Sequence, residues 1–200
     1  VGFLGENPFQ YPEPTHGEGL LPHVTLQDAL KDLPALSCGK ESTVYAAPPD
    51  NEFLSWVRQG GSDTLTEHKA PNNSAHLRKI MAALKDGQGK DDLPEELRPK
   101  SGFKNTYAKL WWEKPATTIT RNFACPSSSR CIHPRDSRAL TIREGARLQS
   151  FPDSYQFYGS DCLKRLEIGN AVPPLLSVAL AEQMLKALDS ENNTTTDSLH

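Results

Sequence analysis

"HPRDSRALTIREGARLQSFPD", His133 to Asp153, carries the strongest local signal in this 200-residue sequence. Thr141-Ile-Arg-Glu144 has the form of a capping box, in which a Thr side chain and a Glu side chain three residues on exchange bonds with each other's backbone N–H. A helix is therefore predicted to start just after Thr141. Pro152 ends it after Phe151, because the residue before proline disfavours helical backbone. Arg143 and Arg147 stand four apart and share one face of that helix, and Glu144 can reach Arg147 at three residues' spacing. Two uses fit the pair. One is a helix stapled by ion pairs, the commoner case; the other is a pair of contacts to phosphate.

Charge along the chain bears on that choice. The net charge is −3, which gives no reason to expect a general nucleic-acid binder. Residues 100–147, however, hold ten basic side chains against three acidic ones, while both flanks are acidic. A basic block of this kind is either a phosphate-contacting surface or a solvated loop region. Hydrophobic content of 36% with 16 prolines predicts a core rich in loops. No apolar run approaches the roughly 18 residues of a membrane span, so no membrane partner is expected. Four scattered cysteines without a Cys-x-x-Cys pair fit reduced thiols better than a disulfide framework.

N-terminal to the helix, a strand end is predicted at residues 1–4. Prolines at 8, 12 and 14 then imply an extended arm. "VTLQDALKDLP" reads as a short helix with Thr25 as N-cap and Asp28 at its third position. "SAHLRKIMAALKDG" reads as a helix capped by Ser74 and stopped by Gly87, with Leu77, Ile80, Met81 and Leu84 on its apolar face. Residues 37–73 carry no firm assignment. From Tyr107 to Ala124 aromatic and β-branched residues favour strands, broken at Pro115. The last helix runs from about Pro173 to Leu188 and is apolar round most of its circumference, so it is expected to be largely buried. Residues 191–200 read as a disordered tail.

Two further stretches bear on chemistry. In "WWEKPATTIT", Thr118 and Thr120 offer hydroxyls and methyls to base edges, and Lys114 and Arg121 offer charge to phosphates. An ordinary two-faced strand fits the same residues. In "LEIGNAVPPLL", Leu166 to Leu176, a tight Ile-Gly-Asn turn precedes a helix start with a double proline. Such a start presents free N–H groups and a side-chain amide, suited to a carboxylate of a ligand or to packing against another domain. Cys125, Cys131 and His133 lack the spacing of a zinc knuckle, and no metal is expected.

Taken together, these residues resemble the cytosine-5 DNA methyltransferases. His133–Asp153 is similar to the family's motif IX and Ile168–Leu176 to its motif X. "YAKLWWEKPATTIT" resembles the end of the target recognition domain, with Lys109 where Arg is usual. "VGF" and "PFQYPEPTHG" resemble the chain just past motif VIII. The resemblance implies an α/β fold, the C-terminal part of a Rossmann-like S-adenosylmethionine-dependent methyltransferase with a small, β-containing target recognition domain. It divides the chain into 1–47 (end of the catalytic domain and a connecting arm), 48–130 (target recognition domain), 131–190 (return to the catalytic domain) and 191–200 (tail).

By the same resemblance, Asn170 and Val172 would contact S-adenosyl-L-methionine. Lys114, Thr118, Thr120, Arg121, Arg143 and Arg147 would contact double-stranded DNA. The family's Pro-Cys nucleophile, Glu-Asn-Val acid and Gly-rich cofactor loop do not occur in the sequence; Cys125 precedes a proline instead of following one. The chain alone is therefore expected to be inactive, and to need a catalytic half in the same polypeptide or in a partner subunit. A non-catalytic specificity subunit of a split enzyme and an RNA cytosine-5 methyltransferase are the alternatives. The "PSSSRCIHP" passage has a bacterial character, which favours a cytoplasmic restriction–modification enzyme; a eukaryotic one would be nuclear.

Overall fold

The structure, a computed structural model, describes residues 9–61, 63–100 and 102–197, with side chains up to residue 189. The strand end expected at residues 1–4 lies outside the described residues. The elements are α1 (Leu26–Leu30), α2 (Glu52–Arg58), α3 (Ala75–Ala83), β1 (Ala108–Lys109), β2 (Arg130–Ile132), α4 (Ile142–Leu148), α5 (Asp161–Asn170) and α6 (Pro174–Asp197). Single 3₁₀ turns occupy Lys90–Asp92 and Glu95–Leu97. The described chain divides into two compact units, one of residues 23–171 and one of 9–22 with 172–197.

The larger unit is organised around α4. Leu26 and Leu30 of α1, Leu65, Leu110, Ile119 and Phe123 from the middle of the chain, and Ile142, Ala146, Phe151 and Ile168 form one buried cluster. That cluster draws on both sides of the boundaries expected at 47/48 and 130/131. A second cluster gathers Ile80, Met81, Leu84 and Leu93 around Ile132 of β2. Close approach to α4 depends on Gly145, where a Cβ would meet the Phe123 ring at 2.4 Å.

The expected caps are present at Thr25, Ser74 and Thr141, each accepting from the N–H three residues on. The start of α1 is tied further: its Leu26 and Gln27 N–H groups, orphans of a helix start, donate to the carbonyls of Lys114 and Trp112. The third helix ends at Ala83, short of Gly87. Gly87 makes a left-handed turn (φ 73°) against Trp111, whose Nε1 would lie 2.0 Å from a Cβ there.

Strand content is far below expectation. Among the described residues the only strands are β1 and β2, paired in parallel with a register shift between Ala108 and Lys109; four isolated bridges, such as Glu41 with Lys69 and Val44 with Thr64, lie outside them. The Rossmann-like sheet of the expected α/β fold is not among these elements. Parallel sheets need near-continuous apolar strands joined by crossover helices, and no such alternation occurs here. The segment 111–120 is irregular. Pro115 lacks a donor for any ladder, and Ile119 is drawn into the core while Thr118 and Thr120 stay exposed. Alternating burial here reflects one side chain plugging the core, not a paired strand.

In the smaller unit, α6 extends to Asp197, through the polar segment expected to be a tail. Leu175, Leu176, Val178, Met184, Leu185 and Leu188 are exposed, Leu185 by 61%. The apolar circumference is as read, but the expected burial of those side chains is not found. Apolar side chains on all sides exceed what a helix can cover by its own packing. By length and composition only, the stretch Asp161–Asp189 is one weak candidate for a membrane span.

Candidate functional site

Beneath the surface of the larger unit lies a lattice of buried ions centred on α4. All residues of that helix from Ile142 to Arg147 are buried. Arg147 is fully enclosed and fills both carboxylates it faces. Its Nε and Nη2 donate to Asp153 at 3.0 and 2.6 Å, Nη1 and Nη2 reach Asp32, and Nη1 also donates to the Ala29 carbonyl at 2.9 Å. Arg143 donates to the carbonyl and hydroxyl of Thr66 and, at 3.4 Å, to Asp153. Arg138 makes a two-pronged pair with Glu144 at 2.8 and 2.7 Å and a third bond to Asp136. Glu144 in turn accepts from the Thr141 N–H, completing the capping box.

The phosphate-contacting reading of Arg143 and Arg147 is therefore corrected. Both are 0% exposed, and their guanidinium groups face inward onto fixed acceptors. The ion-paired alternative describes them, with a different partner than spacing indicated: Glu144 pairs with Arg138, and Arg147 with Asp32 and Asp153. Tyr45 closes the cluster, its hydroxyl donating to Asp153 at 2.8 Å. Burial and then the Asp153 charge push the Tyr45 phenol up to about 12.

Charge sharing fixes the protonation of the lattice. Burial opposes ionisation of Glu144, but the Arg138 guanidinium outweighs it and holds the carboxyl well below the usual carboxylate range. His68 and His133 flank Glu144, each 4.0 Å from its Oε1. Burial lowers both imidazoles below the ordinary histidine value despite that neighbour. Below the unfolded histidine value of about 6.5, the unfolded chain takes up protons that the folded chain refuses, so stability falls with pH at up to about 1.4 kcal/mol per pH unit per histidine. Glu144 adds to the loss below its own unfolded value, near 4.5. We expect the thermal midpoint to drop steadily from pH 7 to pH 5 and more steeply below. A midpoint flat across pH 7 to 5 would contradict the buried neutral histidines.

The exposed segment that the sequence singles out shares a cavity wall with Arg147 of this lattice. Lys114, Thr118, Thr120 and Arg121 are all exposed. Lys114 stands 5.5 Å from the Trp111 ring centre. Thr118 borders a cavity of about 440 Å³ whose walls include Val24, Phe53, Pro115, Leu148 and Gln149. The basic block is thinner at the surface than in the sequence. Lys109, Arg138, Arg143 and Arg147 are buried and Arg130 is half-buried, leaving Lys100, Lys104, Lys114, Arg121 and Arg135 exposed. Lys109 turns inward to Ser137 Oγ at 2.8 Å, and burial lowers its pKa.

The "IGNAVPP" stretch differs in shape from its reading. Ile168, Gly169 and Asn170 are the last residues of α5, not a turn, and the chain becomes extended at Ala171. Their N–H groups therefore belong to a helix end, where it is carbonyls that lack partners. Asn170 is exposed, and Val172 is 58% exposed. Gly169 has a role that the sequence reading missed. A Cβ there would come within 2.1 Å of the Arg121 nitrogen and 2.5 Å of the Thr120 carbonyl carbon. The glycine lets α5 lie directly on the backbone that carries Thr120 and Arg121.

No group in the site is set up as a nucleophile with a base. Burial pushes the Cys131 thiol up to about 12. Cys125 is exposed, and although burial raises its pKa, hydrogen bonds from Ser127 and Ser128 bring it below the usual thiol value. Among the described residues, no three His, Cys, Asp or Glu side chains are grouped to hold a metal ion.

Comparison with known proteins gives the setting. Residues 25–186 match the model of the C-5 cytosine-specific DNA methylase family. The type II methyltransferase M1.HphI of Haemophilus parahaemolyticus is 34% identical over 181 residues, covering 90% of this chain and 41% of that protein. M.DdeI of Desulfomicrobium norvegicum is 35% identical over 182 residues, covering 81% and 43%. DNA (cytosine-5)-methyltransferase 4 of Arabidopsis thaliana is 33% identical over 190 residues, covering 82% and 12%. The chain thus spans under half the length of these curated relatives. Among solved structures, a candidate DNA modification methyltransferase encoded within an Escherichia coli prophage shares the fold. Its TM-score is 0.57 at 20% identity, over 84% of this chain and 48% of that one.

Proposed function

The chain belongs to the C-5 cytosine-specific DNA methylase family, and from that premise we propose that it supplies the DNA-gripping part of a DNA cytosine-5 methyltransferase and one wall of its S-adenosylmethionine site. The reading rests chiefly on the exposed run Lys114, Thr118, Thr120 and Arg121, anchored through Ile119 and Phe123 in the buried cluster that α4 joins. Rigid support is what a recognition surface requires: hydroxyls and cations kept in place lose little entropy when they meet base edges and phosphates.

In this role the chain binds duplex DNA, orients the target cytosine's strand and keeps water out of the cavity beside Thr118. The nucleophile and the acid come from a region with the Pro-Cys and Glu-Asn-Val motifs, in the same polypeptide or a partner subunit. The reaction adds a cysteine sulfur to C6 of an extruded cytosine, methylates C5, then removes the C5 proton and releases the sulfur. S-adenosylmethionine supplies the methyl group. Asn170 and Val172 are exposed and free to line its site, Asn170 with an amide that can donate and accept. In a bacterial host this places the chain in the cytoplasm and in a restriction–modification system.

Incubation with duplex DNA and methyl-labelled S-adenosylmethionine tests the division of labour. We expect no label transfer by the 200-residue chain alone, and transfer once a family N-terminal half with the Pro-Cys and Gly-rich motifs is added. Transfer by the chain alone would overturn the proposal.

A further inference from the structure

Apart from the exposed run, a second hollow of about 250 Å³ opens on the larger unit. It is lined by Asn105, Thr117, Thr118, Ser128, Ser129 and Arg130. The Ser128 and Ser129 hydroxyls donate to Cys125 Sγ and to the Asn122 carbonyl, which leaves Asn105, Thr117, Thr118 and Arg130 as the side chains able to donate to a ligand. None is acidic and none is purely apolar. Three segments distant in sequence meet to make it: the loop before β1, the irregular run after Pro115, and the turn leading into β2.

Arg130 sets the character of the hollow. The buried arginines of the lattice are each neutralised by carboxylates, but Arg130 forms no ion pair among the described residues. It is held by the carbonyls of Gly87 and Lys109 and by the Trp111 ring, 4.1 Å from its guanidinium carbon. Carbonyls and an indole fix a guanidinium in place without cancelling its charge. Asp92 is the one acid whose charge acts on it, and burial outweighs that influence. Further support comes from Ser129, whose hydroxyl donates to the Asn122 carbonyl at 3.0 Å and so ties the rim to Arg121's neighbour.

A guanidinium held without a carboxylate ion pair, beside the Asn105 amide and the Thr117 and Thr118 hydroxyls, matches a phosphodiester group: one charge-assisted contact with neutral donors to non-bridging oxygens. We propose that this hollow seats a backbone phosphate of the bound DNA. It would place the strand beside Thr118 and fix the register in which Thr118 and Thr120 meet base edges. The inference rests on the DNA-binding reading and adds to it Asn105, Ser128, Ser129 and Arg130.

The test is titration of the whole chain with a fluorescent 20-base-pair duplex at several salt concentrations. Ser128→Asp and Asn105→Asp each place a carboxylate in the hollow without removing a core contact; each is expected to weaken binding about ten-fold. Arg130→Gln is expected to lower the slope of log affinity against log salt by about 0.9, the value of one phosphate contact. Because Arg130 also braces Trp111, the two aspartate variants decide the matter should Arg130→Gln fail to fold. An unmodified chain that does not bind DNA would defeat the underlying reading. An unmodified chain that binds, with both aspartate variants binding equally well, would defeat the phosphate seat alone.

Discussion

Arg147→Met is expected to unfold the larger unit under conditions where the parent chain is stable. The methionine fits the space of the aliphatic stem but leaves Asp32 and Asp153 as buried carboxylates without their cation. Both are almost fully enclosed. Asp153 would keep Arg143 and Tyr45, and Asp32 would keep only Arg58 at 3.4 Å. Stranding a buried charge in this way costs about 3–5 kcal/mol, which lowers the midpoint of a chain this size by on the order of 10 °C. A thermal melt followed by circular dichroism reads it. Adding Asp32→Asn to the variant removes one of the stranded charges, so part of the loss should return. A fall of under 2 °C for Arg147→Met would mean that water or rearrangement satisfies the two carboxylates, and that the lattice is not what fixes α4.

Gly169→Ala ranks second, and its sign runs against helix propensity. Inside a helix, alanine normally gains about 1 kcal/mol over glycine. Here the added methyl meets backbone atoms of Thr120 and Arg121 at 2.1 to 2.6 Å. Backbone cannot rotate away as a side-chain tip can, so either α5 or the 120–121 segment must move by an ångström or more. Overpacking of that size costs about 1–3 kcal/mol, enough to reverse the propensity gain. DNA affinity should fall with stability, because Arg121 is carried on the displaced segment. A variant more stable than the parent would show that α5 does not press on this segment.

How legible all of this was in the sequence depended on distance along the chain. The caps at Thr25, Ser74 and Thr141 could be read because donor and acceptor lie three residues apart. Helix α2 carried a similar signal in Asn51, and α5 in Ser160. Both were missed because their apolar patterns are weak; each buries few residues. The strand reading of 107–124 held only at β1, Ala108–Lys109, and failed beyond it for the opposite reason. β-branched and aromatic residues mark a surface suited to burial, and Ile119 and Phe123 are indeed in the core, yet pairing partners were never specified by composition. The fate of Arg147 was beyond local reading altogether, since it turns on Asp32. Family resemblance assigned to DNA two arginines that the fold consumes.

That dependence on distant partners also shapes how the chain comes to be folded. Arg147 bonds to residues 115 and 118 positions earlier, and Arg138 to one 102 positions earlier. Contacts of such separation close late and slowly, because the intervening loop must lose its freedom before any bond rewards it. During synthesis at about 5–20 residues per second, Leu26 and Leu30 emerge several seconds before the helix that covers them. Through that interval the nascent chain presents bare leucines and an unpaired aspartate. Those seconds are when chaperone capture or aggregation competes with folding, and slowing translation between residues 30 and 147 would lengthen the exposure.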